Sequence, residues 1–117
     1  MDVLQWIKNA CLGSRQPVVH IPDIPHTQPV RRRYCFFGMV QGVGFRYEVM
    51  RVADQLGLTG WTRNNSDGTV TVEIEGDSGY IDEFLRVMQA VPRFDITDIQ
   101  AEALPLSGDE TTFNVLY

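Results

Sequence analysis

Cysteine, histidine and long apolar runs are all scarce in this 117-residue chain, and each scarcity removes a class of protein. The two cysteines, Cys11 and Cys35, stand 24 positions apart, match no metal-ligand spacing and read as free thiols. The two histidines, His20 and His26, sit in a proline-rich stretch away from any carboxylate cluster, which argues against a zinc site. No apolar run approaches the roughly 18 residues of a membrane-spanning helix. The first residues carry Asp2 and Lys8, without an apolar segment or small-residue cleavage site of the secretory kind. The expected location is the cytoplasm, without membrane contact.

What is present suits one soluble globular domain: 44% hydrophobic and 21% charged residues. Large multidomain enzymes, collagen-like repeats and low-complexity scaffolds are thereby excluded. The charge is uneven. Residues 1–30 are neutral, whereas residues 31–117 set eight arginines against thirteen carboxylates and so carry the whole net charge of −5. Such a domain repels nucleic-acid phosphate in general, so any anion site must be local.

The chain divides at about residue 30. In the extension 1–30, Val3, Leu4, Ile7 and Cys11 fall near a helical spacing behind Asp2. Pro17, Pro22, Pro25 and Pro29 then impose extended backbone. This extension reads either as a mobile tail or as a short helix that docks on the domain or a partner.

From Arg31 to Phe37 an aromatic-rich segment reads as a strand ending at Gly38. A glycine-bearing turn leads into a helix whose apolar face is Phe45, Val49, Val52, Ala53 and Leu56, stopped at Gly57. Leu58 to Asn64 reads as a second strand, and Asn65-Ser66-Asp67-Gly68 as a hairpin turn. Val70, Val72 and Ile74 alternate with polar residues in a third strand, which Gly76 is expected to break. A second helix follows, capped by Asp77 or Ser78, with Asp82 and Glu83 expected in its first turn. Its inner stripe is Ile81, Phe84, Leu85 and Met88, and Pro92 bars its continuation. Phe94 to Leu104 and Thr111 to Tyr117 supply the last strands.

This order specifies an α+β, ferredoxin-like βαββαβ two-layer sandwich. It is an antiparallel sheet with two helices on one face, plus a short C-terminal strand.

The most informative segment is Gly38-Met39-Val40-Gln41-Gly42-Val43-Gly44-Phe45-Arg46. Between a strand and a helix, its amides can turn inward around an anion at the positive helix end. Arg46 can add a bidentate fork to the same anion. A cation at a helix N-terminus is unfavourable alone, so something anionic should compensate it. Phosphate suits these donors, although the same residues also serve as an ordinary turn with a solvated arginine. Asn64 ends the strand after this helix, and its donor and acceptor can hold a water. A plain turn role is equally open to it, and Asn65 fits that role as well.

Three neighbouring features read as bland. Arg31-Arg32-Arg33 is taken as a solvated strand end, Glu73 and Glu75 as exposed and non-catalytic, and Tyr34, Phe36 and Phe37 as packing residues.

These residues together carry a resemblance. The run at 38–46, Gly-Trp-Thr-Arg-Asn at 60–64 and Asp-Gly-Thr-Val at 67–70 closely resemble the acylphosphatase family. The likeness extends over about residues 31–117. It implies hydrolysis of the carboxyl–phosphate bond of acyl phosphates to carboxylate and inorganic phosphate, without metal or organic cofactor. In family members the arginine of the first motif binds the phosphoryl group and the asparagine of the second orients water, positions filled here by Arg46 and Asn64. The phosphate-binding loop would be Met39, Val40, Gln41, Gly42, Val43, Gly44 and Phe45.

The partners so implied are a small-molecule acyl phosphate and inorganic phosphate, with no nucleic acid, for a chain expected to be a monomer. Three departures stand out: Met39 replaces an expected basic residue, Thr62 replaces a usual valine, and compact members lack the 1–30 extension. A rival reading is a non-catalytic module that binds a phosphate-bearing metabolite on the same fold. A third is an accessory domain handling carbamoyl phosphate, like that of hydrogenase-maturation carbamoyltransferases.

Overall fold

The computed structural model describes residues 28–117; Cys11, both histidines and the expected N-terminal helix lie outside the described residues. Seven elements follow in order: β1 (Pro29–Met39), α1 (Phe45–Gln55), β2 (Thr59–Asn64), β3 (Val70–Asp77), α2 (Ser78–Ala90), β4 (Asp95–Leu104) and β5 (Phe113–Leu116). The sheet runs β4-β1-β3-β2-β5. Its first four members are antiparallel, and β5 lies parallel to β2, so the sheet as a whole is mixed. The ferredoxin-like arrangement expected from the element order is the one observed.

One core lies between the sheet and the helices. Tyr34, Phe36, Val70, Val72 and Ile74 project from the strands against Phe45, Val49, Val52 and Ala53 of α1 and Ile81, Phe84 and Met88 of α2. Each set follows its own period, two along a strand and 3.6 along a helix. Phe45 packs edge-on against Phe36 and Phe94, with centroids 5.1 and 5.0 Å away. Phe94 thus turns into the core, and β4 begins one residue later than expected.

Several local expectations change for tertiary reasons. Gly76 does not break β3, because β1 starts at Pro29 and pairs Val30 with Gly76 and Pro29 with Asp77. Asp77 caps α2 by accepting from the Gly79 amide at 3.0 Å. Since α2 starts at Ser78, Asp82 and Glu83 fall beyond its first turn. Asp82 pairs with Arg32 at 3.0 Å, and Glu83 is buried beside Arg86 at 3.2 Å.

Of the three arginines entering β1, Arg31 is not a solvated end either. Arg31 is buried on the sheet face away from the helices, where it meets Glu73 at 2.8 Å, Glu75 at 3.2 Å and Glu110 at 2.6 Å. The reason is topological: the chain must pass from β4 at one sheet edge to β5 at the other, past three strands. Arg31 and Glu75 tie down that crossing, since Glu75 also accepts from the amides of Ser107 at 2.8 Å and Gly108 at 3.1 Å. Glu73 and Glu75, expected to be exposed, are the anchors of this knot.

An acid-linked loss of stability follows. Burial opposes ionisation of Glu75, but the Ser107 and Gly108 amides and the Arg31 guanidinium outweigh it and hold its pKa below the ordinary 4.5. A carboxylate with a lowered folded pKa contributes stability that is present above its unfolded pKa and is lost as pH falls through the folded value. A Glu75→Gln variant should therefore melt below wild type at pH 7, and the gap should close as pH falls below the ordinary 4.5. Thermal melts of both proteins across that range measure it; a gap that stays constant contradicts the linkage.

Candidate active site

Five residues connect β1 to α1, and two glycines shape that connection. At Gly38 the pairing of β1 with β4 shifts register, and φ is 119°; a Cβ there would strike the Asp95 carbonyl. Only glycine lets the strand leave the sheet so close to β4. At Gly44, the residue before α1, φ is 80° and no side chain caps the helix. The leading amides of α1 are thus left open, and the helix dipole adds positive potential there. Among the described residues, the amides of 41–44 are committed to no hydrogen bond, whereas Val40 donates to the Gly38 carbonyl at 3.0 Å.

The seven residues expected to form the phosphate loop take different positions. Val40, Gly42, Gly44 and Phe45 line a cleft of about 420 Å³ together with Arg46 and Asn64. Met39 ends β1 and points to solvent. The side chain of Gln41 turns the other way, donating to the carbonyls of Asn65 at 2.8 Å and Thr69 at 2.9 Å. Gln41 thereby staples the loop to the β2–β3 turn and fixes where Asn64 stands relative to the loop amides.

Arg46, in the first turn of α1, is held by the end of the chain. Its Nη1 donates to the Leu116 carbonyl at 2.8 Å, and its guanidinium lies over the Tyr117 ring at 4.9 Å. Both contacts leave other guanidinium N–H groups available to an anion. Nothing local in the sequence links position 46 with 116 and 117; the parallel addition of β5 to β2 brings them together.

Asn64 closes β2, and its Oδ1 is buried with no hydrogen-bond partner among the described residues. The turn after it is rigid. The Asn65 side chain donates to the hydroxyls of Thr69 at 3.0 Å and Thr71 at 2.8 Å. Asp67 accepts from the Thr69 hydroxyl at 2.6 Å and its amide at 3.0 Å, and these bonds hold the Asp67 carboxyl below the usual carboxylate range. Asn65 therefore has the turn role that both asparagines were eligible for.

Sequence reasoning missed Arg93. Its Nε donates to the Val43 carbonyl at 3.2 Å, and Nη2 lies 3.3 Å from Glu48, a carboxylate enclosed on α1 that Arg51 also meets at 2.9 Å. Across a planar trans peptide the carbonyl and the next N–H point in opposite directions. Holding the Val43 carbonyl outward therefore turns the Gly44 N–H away from Arg93. A lone arginine after Pro92 carries no signal of this role. Arg93→Ala is expected to raise KM roughly fivefold, the worth of about 1 kcal/mol for one such bond, with a smaller change in kcat. Steady-state kinetics would show an unchanged KM if the loop needs no such support.

Among the described residues no group of three or more His, Cys, Asp or Glu side chains is placed to hold a metal ion, and no helix is long and apolar enough to cross a membrane. What the cleft does assemble is an arginine fork, open amides at a helix end and a buried amide oxygen. Comparison with known proteins identifies the family. The acylphosphatase family model matches residues 32–115. An acylphosphatase of Chlorobaculum tepidum is 45% identical over 80 residues, covering 68% of this chain and 87% of that protein. A crystal structure of acylphosphatase from Bacillus subtilis superposes with a TM-score of 0.71 at 32% identity, covering 75% of this chain and 99% of that one. Full-length HypF in its phosphate- and nucleotide-bound form also matches, with a TM-score of 0.70 and 32% identity, but there the match spans 77% of this chain and only 12% of the other. A family model matching 32–115 and acylphosphatases matched over 87% and 99% of their own length show that this chain belongs to the acylphosphatase family.

Proposed function

We propose that this protein hydrolyses acyl phosphates in the cleft between the 40–45 loop and the end of β2. In this reading Arg46 and the loop amides bind the phosphoryl group, and Asn64 orients the attacking water. The observation that carries the reading is the placement of the buried, unbonded Asn64 Oδ1 beside Arg46 and the loop glycines. An acceptor left so costs about 1–3 kcal/mol, a cost that a water donating to it removes.

The chemistry asks for little more. Water attacks phosphorus in line with the acyl oxygen, the phosphorus–oxygen bond to the acyl group breaks, and its electron pair leaves on the carboxylate. The proton lost by water passes to a phosphate oxygen. Because a carboxylate leaves readily, no strong acid or base is required. Such transfers depend mainly on positioning and on donors aimed at the phosphoryl oxygens. All the proposed groups come from one chain, which supports action as a monomer. The cytoplasm is the proposed compartment.

The test is hydrolysis of benzoyl phosphate in the presence of a chelator. Fast turnover is expected. No turnover with inorganic phosphate still bound would favour a metabolite-binding module on the same fold.

A further inference from the structure

We propose that the cleft contains a second subsite, beside the phosphate cradle, that takes an uncharged apolar acyl group of roughly six carbons. Tyr47 and Met50 set that preference. The inference rests on the acylphosphatase reading above and adds the class of acyl phosphate that fits.

Volume is the first argument. The cleft measures about 420 Å³, within the range of about 300–1,000 Å³ typical of small-molecule sites. A phosphoryl group is five heavy atoms, so most of this space remains once it is seated. The lining is of two kinds. Besides Arg46, Asn64 and the loop glycines, it includes the largely apolar side chains of Tyr47, Met50, Val115 and Tyr117.

Helix geometry explains the division. Met50 stands three residues after Tyr47 and four after Arg46, so all three share one flank of α1. The charged group sits nearer the helix start, and an apolar surface continues along the same flank. Val115 of β5 and the Tyr117 ring, already held by Arg46, complete the lining. Core packing does not account for Tyr47, which is 52% exposed. An aromatic ring and a thioether beside a phosphate site offer an adaptable apolar contact to whatever the phosphate carries.

Charge is the second argument. Arg46 is the one charged side chain among the residues lining the cleft, and the phosphoryl group takes it. A second anionic group on the acyl part would meet no cation there, in a protein of net charge −5. Anionic acyl groups are therefore disfavoured by the same wall that favours apolar ones.

Acetyl, butanoyl and hexanoyl phosphates have leaving groups of similar acidity, so differences among them report binding of the chain. In the wild-type protein kcat/KM is expected to rise tenfold or more from acetyl to hexanoyl phosphate, and succinyl phosphate is expected to fall well below butanoyl. In Tyr47→Ala and Met50→Ala the hexanoyl-to-acetyl ratio should shrink towards one. Inhibition of wild type by hexylphosphonate against methylphosphonate reads the same subsite without any variant. A flat wild-type series, equal inhibition by the two phosphonates, or a ratio unchanged in both variants would overturn the subsite. Failure to hydrolyse any acyl phosphate would instead overturn the activity on which it rests.

Discussion

Arg46→Ala is expected to lower kcat/KM for an acyl phosphate by a thousandfold or more, about 4 kcal/mol of transition-state stabilisation. The side chain supplies a permanently charged fork at the positive end of α1, where it is repelled until an anion arrives. Competition by inorganic phosphate should weaken in parallel, because the same fork meets the product. Arg46→Lys should recover little, since an ammonium cannot present two N–H groups in one plane. The fold should survive: Arg46 lies at the surface of α1, its partners being the Leu116 carbonyl and the Tyr117 ring. Turnover close to wild type in Arg46→Ala would remove it from the site.

The second large effect is expected at Asn64. Its replacement by alanine should reduce kcat by about a hundred- to a thousandfold, comparable to loss of one preorganised polar group at a reaction centre. Inhibition by phosphate should be nearly unchanged, because the loop amides and Arg46 remain. This contrast would separate the two proposed roles, Arg46 holding the group that is transferred and Asn64 holding what attacks it. An Asn64→Ala variant that loses phosphate inhibition together with turnover would show that the asparagine binds the anion instead. The rigid turn beyond it, braced by Asn65, Thr69 and Asp67, should keep β2 in place in the variant.

Much of this site was legible along the chain. The Gly38–Arg46 run lies in nine consecutive positions, and a strand-to-helix turn with left-handed glycines is a local property. The same holds for the stripe Phe45, Val49, Val52 and Ala53, which the 3.6-residue period places inward. Position 64 was legible as the end of a strand, but two neighbouring asparagines competed for its role. The hydrogen bonds of Asn65 to Thr69 and Thr71 separate them, and these depend on the pairing of β2 with β3.

The remaining misreadings share a cause. Arg31, Glu73 and Glu75 look like surface charges because each is polar and lies in an alternating pattern. They are enclosed because the β4–β5 connection crosses that face of the sheet. Gly76 looks like a strand end, and it continues one because Pro29 and Val30 pair opposite it. Glu48, which no motif in the sequence singles out, is likewise buried, where Arg51 and Arg93 converge.

Local chemistry therefore decided which elements form, where the glycine-rich strand-to-helix turn lies and which arginine follows it. These follow from backbone preference and side-chain period over a few residues. Tertiary structure decided how those groups face one another: Leu116 and Tyr117 against Arg46, Gln41 between loop and turn, and Arg93 behind Val43. These contacts join positions from 24 to 71 residues apart, and such pairings arise from strand order and helix packing, which no short stretch of sequence encodes.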